Sequence, residues 1–357
     1  MKKLMIIWGV LLLLTGSARC ADVTLSDELA KAAPEAAQVL DPEEIGFGME
    51  EGIALLWKRA LTEIRGEVFS GAKSVAAIMV GVILLGVTQG VLSSGEDMVG
   101  RCITMVGALW IIAVSSGSVD GLIGQGRAAI GEVSSFSKLL LPSLAAAVAA
   151  SGGLTTASVR QTATVFVSDV LLTAIDSLLL PLVYLYIGVA AAGAVLDGDM
   201  MDGIGKLLRR IVIWGLSGFL TLYTTYLTVS GAVTGAVDAN TVRAAKAAVS
   251  SAVPVVGRIL ADAAESVLAG AGILRGMLGA FGMLAVLGIC LTPFLRLLLQ
   301  YLLYQGAALV CTLAGPKKLT TLLARLGEAF GLVLAMMAAS ALALIISLVS
   351  MLMAVRI

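Results

Sequence analysis

The sequence has no histidine, and this absence removes several kinds of chemistry at once. Histidine is the usual general base beside a serine or cysteine nucleophile and a common ligand of zinc and haem. A GxxxxGK[ST] phosphate loop is missing too, because the Gly205-Lys206 pair lacks the upstream glycine and the following hydroxyl. We therefore expect a protein that is not an enzyme, holds no cofactor or metal, and hydrolyses no nucleotide itself.

Charged residues are scarce, at 13% of 357 residues, whereas soluble domains have about 25%. Hydrophobic residues make up 59%, which leaves too little polar surface to cover a water-soluble globule. The 24 Lys and Arg balance 24 Asp and Glu, so no net charge draws the chain to nucleic acid. The composition predicts that the solvent is the lipid bilayer and that nucleic acid is not a partner.

Cysteine is also rare, and its spacing indicates packing rather than chemistry. Four cysteines occur, three of them inside apolar runs, and none forms a CxxC pair. We interpret them as small apolar side chains.

Residues 1–20 have the three parts of a secretory signal. Lys2 and Lys3 precede a short apolar run, and small residues lead up to Cys20. We expect a signal peptide over 1–20, which places residues 21–72 outside the cytoplasm. The first part of this segment is acidic, and the part from 52 to 67 has the apolar periodicity of an amphipathic helix lying on the membrane surface.

Residues 73–357 are predicted to form the transmembrane domain of an all-α polytopic membrane protein. We expect a glycine-rich bundle of about six to eight transmembrane helices, since each crossing needs about 20 apolar residues. Short amphipathic or re-entrant helices complete this fold. The candidate stretches are 74–92, 102–119, 164–196, 211–233, 277–314 and 331–355.

Prolines interrupt three apolar stretches. Pro181 and Pro293 lie in the two stretches that are too long for one crossing, so each stretch is a hairpin, a broken helix or one span with an interfacial extension. The stretch 139–150 contains Pro142 and is short, which predicts a half-helix or a re-entrant segment.

Glycine is abundant, with 40 residues. Small residues four apart let helix backbones approach closely in lipid, so we expect tight packing and self-association. The GxxxG pairs are Gly86/Gly90, Gly117/Gly121, Gly231/Gly235, Gly272/Gly276 and Gly327/Gly331.

Two indicators of membrane orientation disagree. Lys206, Arg209 and Arg210 before the fourth stretch indicate a cytoplasmic loop. Lys58 and Arg59, however, precede the first span on the side that a cleaved signal would place outside. The side of the C-terminus stays open.

Three charged residues fall inside apolar stretches. Asp169 and Asp176 are seven residues apart and therefore share one helix face, and Arg296 is the comparable cation. Charge at membrane depth is costly and often marks a water-filled path or a proton relay. We predict a polar seam formed by these three residues; the alternative is that they lie near interfaces or helix breaks and reach water.

A pair of amphipathic helices is predicted over 241–269, meeting at a break around Pro254. This pair lies in the headgroup plane or enters the membrane as a gate. Its characteristic residues are Lys246, Pro254, Val255, Val256, Gly257 and Asp262.

The run 246–257, Lys-Ala-Ala-Val-Ser-Ser-Ala-Val-Pro-Val-Val-Gly, resembles the stage III sporulation protein AE family of endospore-forming bacteria. Residues 149–153, 260–263 and 274–279 are similar to that family as well, as is the layout of signal, acidic segment and glycine-rich bundle. Arg258 and the Arg275-Gly276 pair depart from its pattern.

This resemblance implies a component of the sporulation channel, or feeding tube, that links mother cell and forespore and is needed for forespore development. It implies a non-catalytic conduit or scaffold in the mother-cell membrane around the forespore. Its partners would be other stage III A proteins, including a cytoplasmic ATPase and ring-forming components, which fits a chain without its own nucleotide loop. The alternative is a self-standing proton-coupled secondary transporter or export permease that uses Asp169 and Asp176.

Overall fold

The computed structural model describes residues 49–92, 97–150, 167–195, 199–252, 257–313 and 315–353, with side chains for these ranges except 227–278 and a few other positions. They form six long helices and no strand, which confirms the all-α class. These helices are α1 Met49–Leu92, α2 Asp97–Ala150, α3 Val167–Val195, α4 Asp199–Ala252, α5 Gly257–Cys311 and α6 Lys317–Met353.

Successive helices run in opposite directions. Gly100 of α2 lies beside Gln89 of α1, and Trp110 lies beside Gly81, so residue numbers rise along one helix as they fall along the other. The same reversal relates α2 to α3, α3 to α4, and α5 to α6, whereas α4 and α6 run parallel. The starts of α2, α4 and α6 therefore lie at one end of the bundle, called here the A end, and their C-terminal ends lie at the B end.

Helix α6 is the centre of the bundle. It packs against α2, α3, α4 and α5, whereas α1 packs chiefly against α2 and α5. Leu323, Phe330, Val333 and Met337 follow one another at helical spacing and are fully buried. Because lipid provides no hydrophobic drive between helices, this dense packing is what holds α6 in place.

Glycines allow α5 and α6 to approach closely. Gly327 and Gly331 form one of the predicted GxxxG pairs, and they lie against Tyr304 and Tyr301 of α5. A β-carbon added at Gly331 would come within 3.1 Å of the Tyr301 ring. This pair therefore packs two helices of the same chain together.

Among the residues that the structure describes, five helical segments are long and apolar enough to cross a membrane, which confirms a multi-pass protein. The predicted stretch 211–233 falls in α4, whose side chains are described only as far as residue 226. The five segments are Gly71–Val91, Met98–Ala147, Val167–Val195, Gly279–Cys311 and Lys317–Val349.

Pro142 does not divide α2 as predicted, and of the alternatives for the two long stretches the structure has a continuous helix through Pro181 and through Pro293. The segment 139–150 is the last part of α2 rather than a separate half-helix, and Pro293 lies inside continuous α5. Pro181 follows a π-helical turn, Ile175–Leu179, and α3 continues beyond it. Neighbouring helices and local widening of the helix compensate for the backbone bond that a proline removes.

Two predicted amphipathic segments are parts of longer helices. The stretch 52–67 continues into the first span as α1, because no proline interrupts it. The stretch 241–252 ends α4, and Gly257 begins α5. The expected signal peptide 1–20, the acidic residues 21–48 and the predicted break at 253–256 lie outside the described residues.

Candidate functional site

The two predicted aspartates of α3 face two cations of α2. Arg127 donates from Nε to Asp176 Oδ1 at 2.5 Å and from its second terminal nitrogen to Oδ2 at 2.9 Å. Lys138 Nζ lies 2.8 Å from Asp169 Oδ1. The sequence analysis did not predict either cation. Antiparallel packing of the two helices was the assumption that would have paired Arg127 with Asp176 and Lys138 with Asp169.

These four residues border a groove of about 540 Å³ between α2 and α3. The space exists because small residues line both walls, so no long side chain fills the gap between the two helices. The small lining residues are Gly124, Ala128, Gly131 and Ser134 of α2 with Thr173 and Ser177 of α3.

The groove is open at the side of the bundle. The side chains of Arg127 and Asp176 are 61% and 40% exposed, and those of Lys138 and Asp169 are 55% and 51% exposed. Pairs this exposed stabilise a protein little in water, where both charges keep their hydration. Inside a membrane the same groups need water or another protein around them, since lipid cannot solvate them.

The π-helical turn in α3 sets the position of Asp176. The Leu180 N–H donates to the carbonyl of Ile175, five residues back, so Ile175–Leu179 accommodates one more residue than an α-turn. This wider turn ends two residues before Pro181, whose missing N–H weakens regular α-helical bonding there. The chain thus places its one described π-turn at the carboxylate that binds Arg127.

Arg296 is not part of this groove. It lies on α5 and donates to Gln125 Oε1 of α2 at 3.1 Å. Farther along the same two helices, the Tyr304 hydroxyl donates to Ser115 Oγ at 3.0 Å. The predicted trio is therefore divided between two places, the α2–α3 groove and the α2–α5 contact.

A second polar cluster near the A end joins α3, α4 and α6. Arg325 donates to Asp202 Oδ1 at 2.7 Å, and the Tyr186 hydroxyl donates to Glu328 Oε2 at 2.6 Å. Arg209 lies 3.6 Å from the same Glu328 oxygen. The Arg325 side chain is only 11% exposed, so leaving it without Asp202 would be costly. The cluster therefore acts to fix how these three helices meet.

Three of the predicted helix-pair residues lie in the parts of α4 and α5 near the B end. Lys246 is in α4, Gly257 begins α5 and Asp262 follows in α5, but none of these side chains is described. Pro254, Val255 and Val256 lie outside the described residues.

Long antiparallel helices with an open, charged groove define a polytopic α-helical membrane protein. The chain belongs to the stage III sporulation protein AE family, because the sequence model of that family matches residues 43–355. It is 27% identical over 213 residues to stage III sporulation protein AE of Bacillus subtilis (strain 168), covering 59% of this chain and 53% of that relative. The match thus spans about half the length of the curated relative. No solved structure matches the chain.

Proposed function

We propose that this protein is a membrane component of the sporulation channel complex that links mother cell and forespore, where it acts as a non-catalytic conduit or scaffold needed for forespore development. The observation that carries this proposal is the family match over residues 43–355. The protein would lie in the mother-cell membrane around the forespore. Its partners would be other stage III A proteins, including a cytoplasmic ATPase and ring-forming components.

The packing of the bundle supports a scaffold or conduit wall. Core residues such as Ile111, Phe136, Leu297 and Phe330 are fully buried and occupy the space between the helices. The charged groove instead opens at the side, where another subunit can contact it. A transporter that works alone is expected to enclose its substrate site between its own helices near the middle of the membrane.

Affinity purification from sporulating cells tests this proposal. We expect a tagged chain, extracted in mild detergent, to co-purify with the cytoplasmic ATPase and the ring-forming components. A tagged, unrelated multi-pass protein of the same membrane is the control. The proposal fails if the chain purifies without them and, reconstituted alone in liposomes, carries out proton-driven transport that requires Asp169 and Asp176.

A further inference from the structure

Helix α2 has a continuous row of small residues on its exposed side. Their spacings of four and three residues place them on one helix face over about 27 Å. All six are exposed in the single chain. The row consists of Gly117, Gly121, Gly124, Ala128, Gly131 and Ser135.

Within the part of the chain that the structure describes, the glycines of this row have no neighbour to pack against. A β-carbon added at Gly117, Gly121, Gly124 or Gly131 would meet nothing within 4 Å. By contrast, Gly126 faces into the same bundle, and its added β-carbon would lie 2.7 Å from Val333. Small residues in a membrane helix are useful where another backbone approaches, and none of the described helices packs onto these glycines.

The charges beside this row independently indicate that lipid alone does not cover it. Arg127 and Asp176 lie inside the apolar segments Met98–Ala147 and Val167–Val195, and their side chains are about half exposed. Lipid does not solvate such groups, and an anionic headgroup would meet as many carboxylates as cations in the groove.

The charges on the α2–α3 face are complementary to those on the same face of a second copy. Both cations are on α2 and both anions are on α3, and each cation lies at the same depth as its anion. A two-fold axis parallel to the helices would place α2 of one copy opposite α3 of the other. Arg127 would then face the Asp176 of its partner copy at equal depth, and Lys138 would face Asp169.

We propose that a second copy of this chain docks on the α2–α3 face through a two-fold contact, with the small residues of the two α2 helices near the axis. Two-fold contacts that use the same surface on both subunits are the commonest form of protein self-association. The proposal does not depend on the role in sporulation, because the contact requires only this chain and a membrane.

Disulfide cross-linking in membranes tests the geometry. The full chain carrying Cys102→Ser is expressed alone, and Gly117, Gly121 or Gly124 is changed to cysteine, one at a time. The control is Gly218→Cys on α4, which is exposed and also has no described neighbour within 4 Å. Its depth is similar to that of Gly124, since nearby Gly215 lies against Leu179, three residues after Asp176, which pairs with Arg127.

After mild oxidation we expect at least tenfold more disulfide-linked dimer from one or more of the α2 variants than from Gly218→Cys. Equal yields from α2 and α4, or no dimer from any α2 variant, would overturn the proposal. The second outcome would mean that water, lipid or a different protein covers this face.

A charge exchange tests the pairing itself. The Arg127→Asp/Asp176→Arg double variant keeps an ion pair inside each copy but reverses its direction. Two differently tagged exchanged chains should co-purify as well as two unchanged chains, whereas an exchanged and an unchanged chain should co-purify several-fold less, because like charges then meet across the contact. Equal recovery of mixed and matched pairs would contradict the two-fold arrangement, and the matched exchanged pair shows whether the variant folds.

Discussion

Asp176 illustrates, at the scale of single residues, how a charge in a membrane helix depends on its partner. Its carboxylate neutralises Arg127 through two short hydrogen bonds, so neither residue is an isolated charge. Removing one partner leaves the other uncompensated, whereas removing both leaves a neutral polar pair. The effects of substitutions in this groove are therefore expected to be non-additive.

We expect Asp176→Asn to lower the stability of the membrane-inserted protein, because Arg127 loses its counter-charge in an apolar segment. The Arg127→Gln/Asp176→Asn double variant should recover most of that loss. Thermal unfolding in detergent and the amount of protein in membranes measure both effects.

Two other outcomes separate the possible roles of this carboxylate. If the double variant is as unstable as the single variant, the ion pair is not the reason that Asp176 matters for stability. If the double variant is stable, inserts normally and supports sporulation, a proton relay through Asp176 is excluded.

Packing at the scale of whole helices depends on where glycine permits close approach. Gly331 of α6 meets the Tyr301 ring of α5, whereas Gly218 of α4 has open space beside it. Both are helical glycines in a membrane bundle. Only at Gly331 would a larger side chain clash with the neighbouring helix. The α5–α6 contact should therefore be sensitive to size at Gly331.

We expect Gly331→Leu to destabilise the bundle by about 1–3 kcal/mol, the usual cost of overpacking a tightly packed core. Gly218→Leu is the matched control and should be nearly silent, because a leucine there faces open space. The melting temperature of the purified chain in one detergent gives the comparison. A loss at Gly218 as large as at Gly331 would show that the effect comes from helix propensity or expression and not from packing.

At the scale of the whole molecule, the antiparallel order brings distant cations together. The starts of α4 and α6 share the A end, so Lys206, Arg209 and Arg210 lie on the same side as Lys317 and Lys318. Concentrated Lys and Arg near short connections mark the cytoplasmic side. The A end is therefore predicted to be cytoplasmic, with Met49 and Met353 at the opposite end.

Cysteine labelling checks this orientation. In a background without Cys102, a membrane-impermeant maleimide should label Lys58→Cys in intact cells. It should label Met200→Cys and Leu313→Cys, which replace well-exposed side chains at the A end, only after the membrane is permeabilised. The reverse pattern would place the A end outside and would show that the cations near the start of α1 determine the orientation instead.

The sequence determined the class of this protein and much of its helical content. Residue composition and apolar length are local properties, and a stretch such as 74–92 forms a membrane helix whatever its neighbours are. The missing histidine, the scarce charge and the motif ending in Gly257 were also readable from the chain alone, and that motif led to the family.

The tertiary structure decided which distant residues meet. The pairing of Asp176 with Arg127, the separation of Arg296 from that groove, and the joining of Arg325 to Asp202 depend on the order and depth at which helices pack. Periodicity shows which residues share a face of one helix, but not which helix lies opposite. The effect of the prolines also depended on tertiary packing. Pro142 and Pro293 remain within continuous helices, because neighbouring helices support the backbone there.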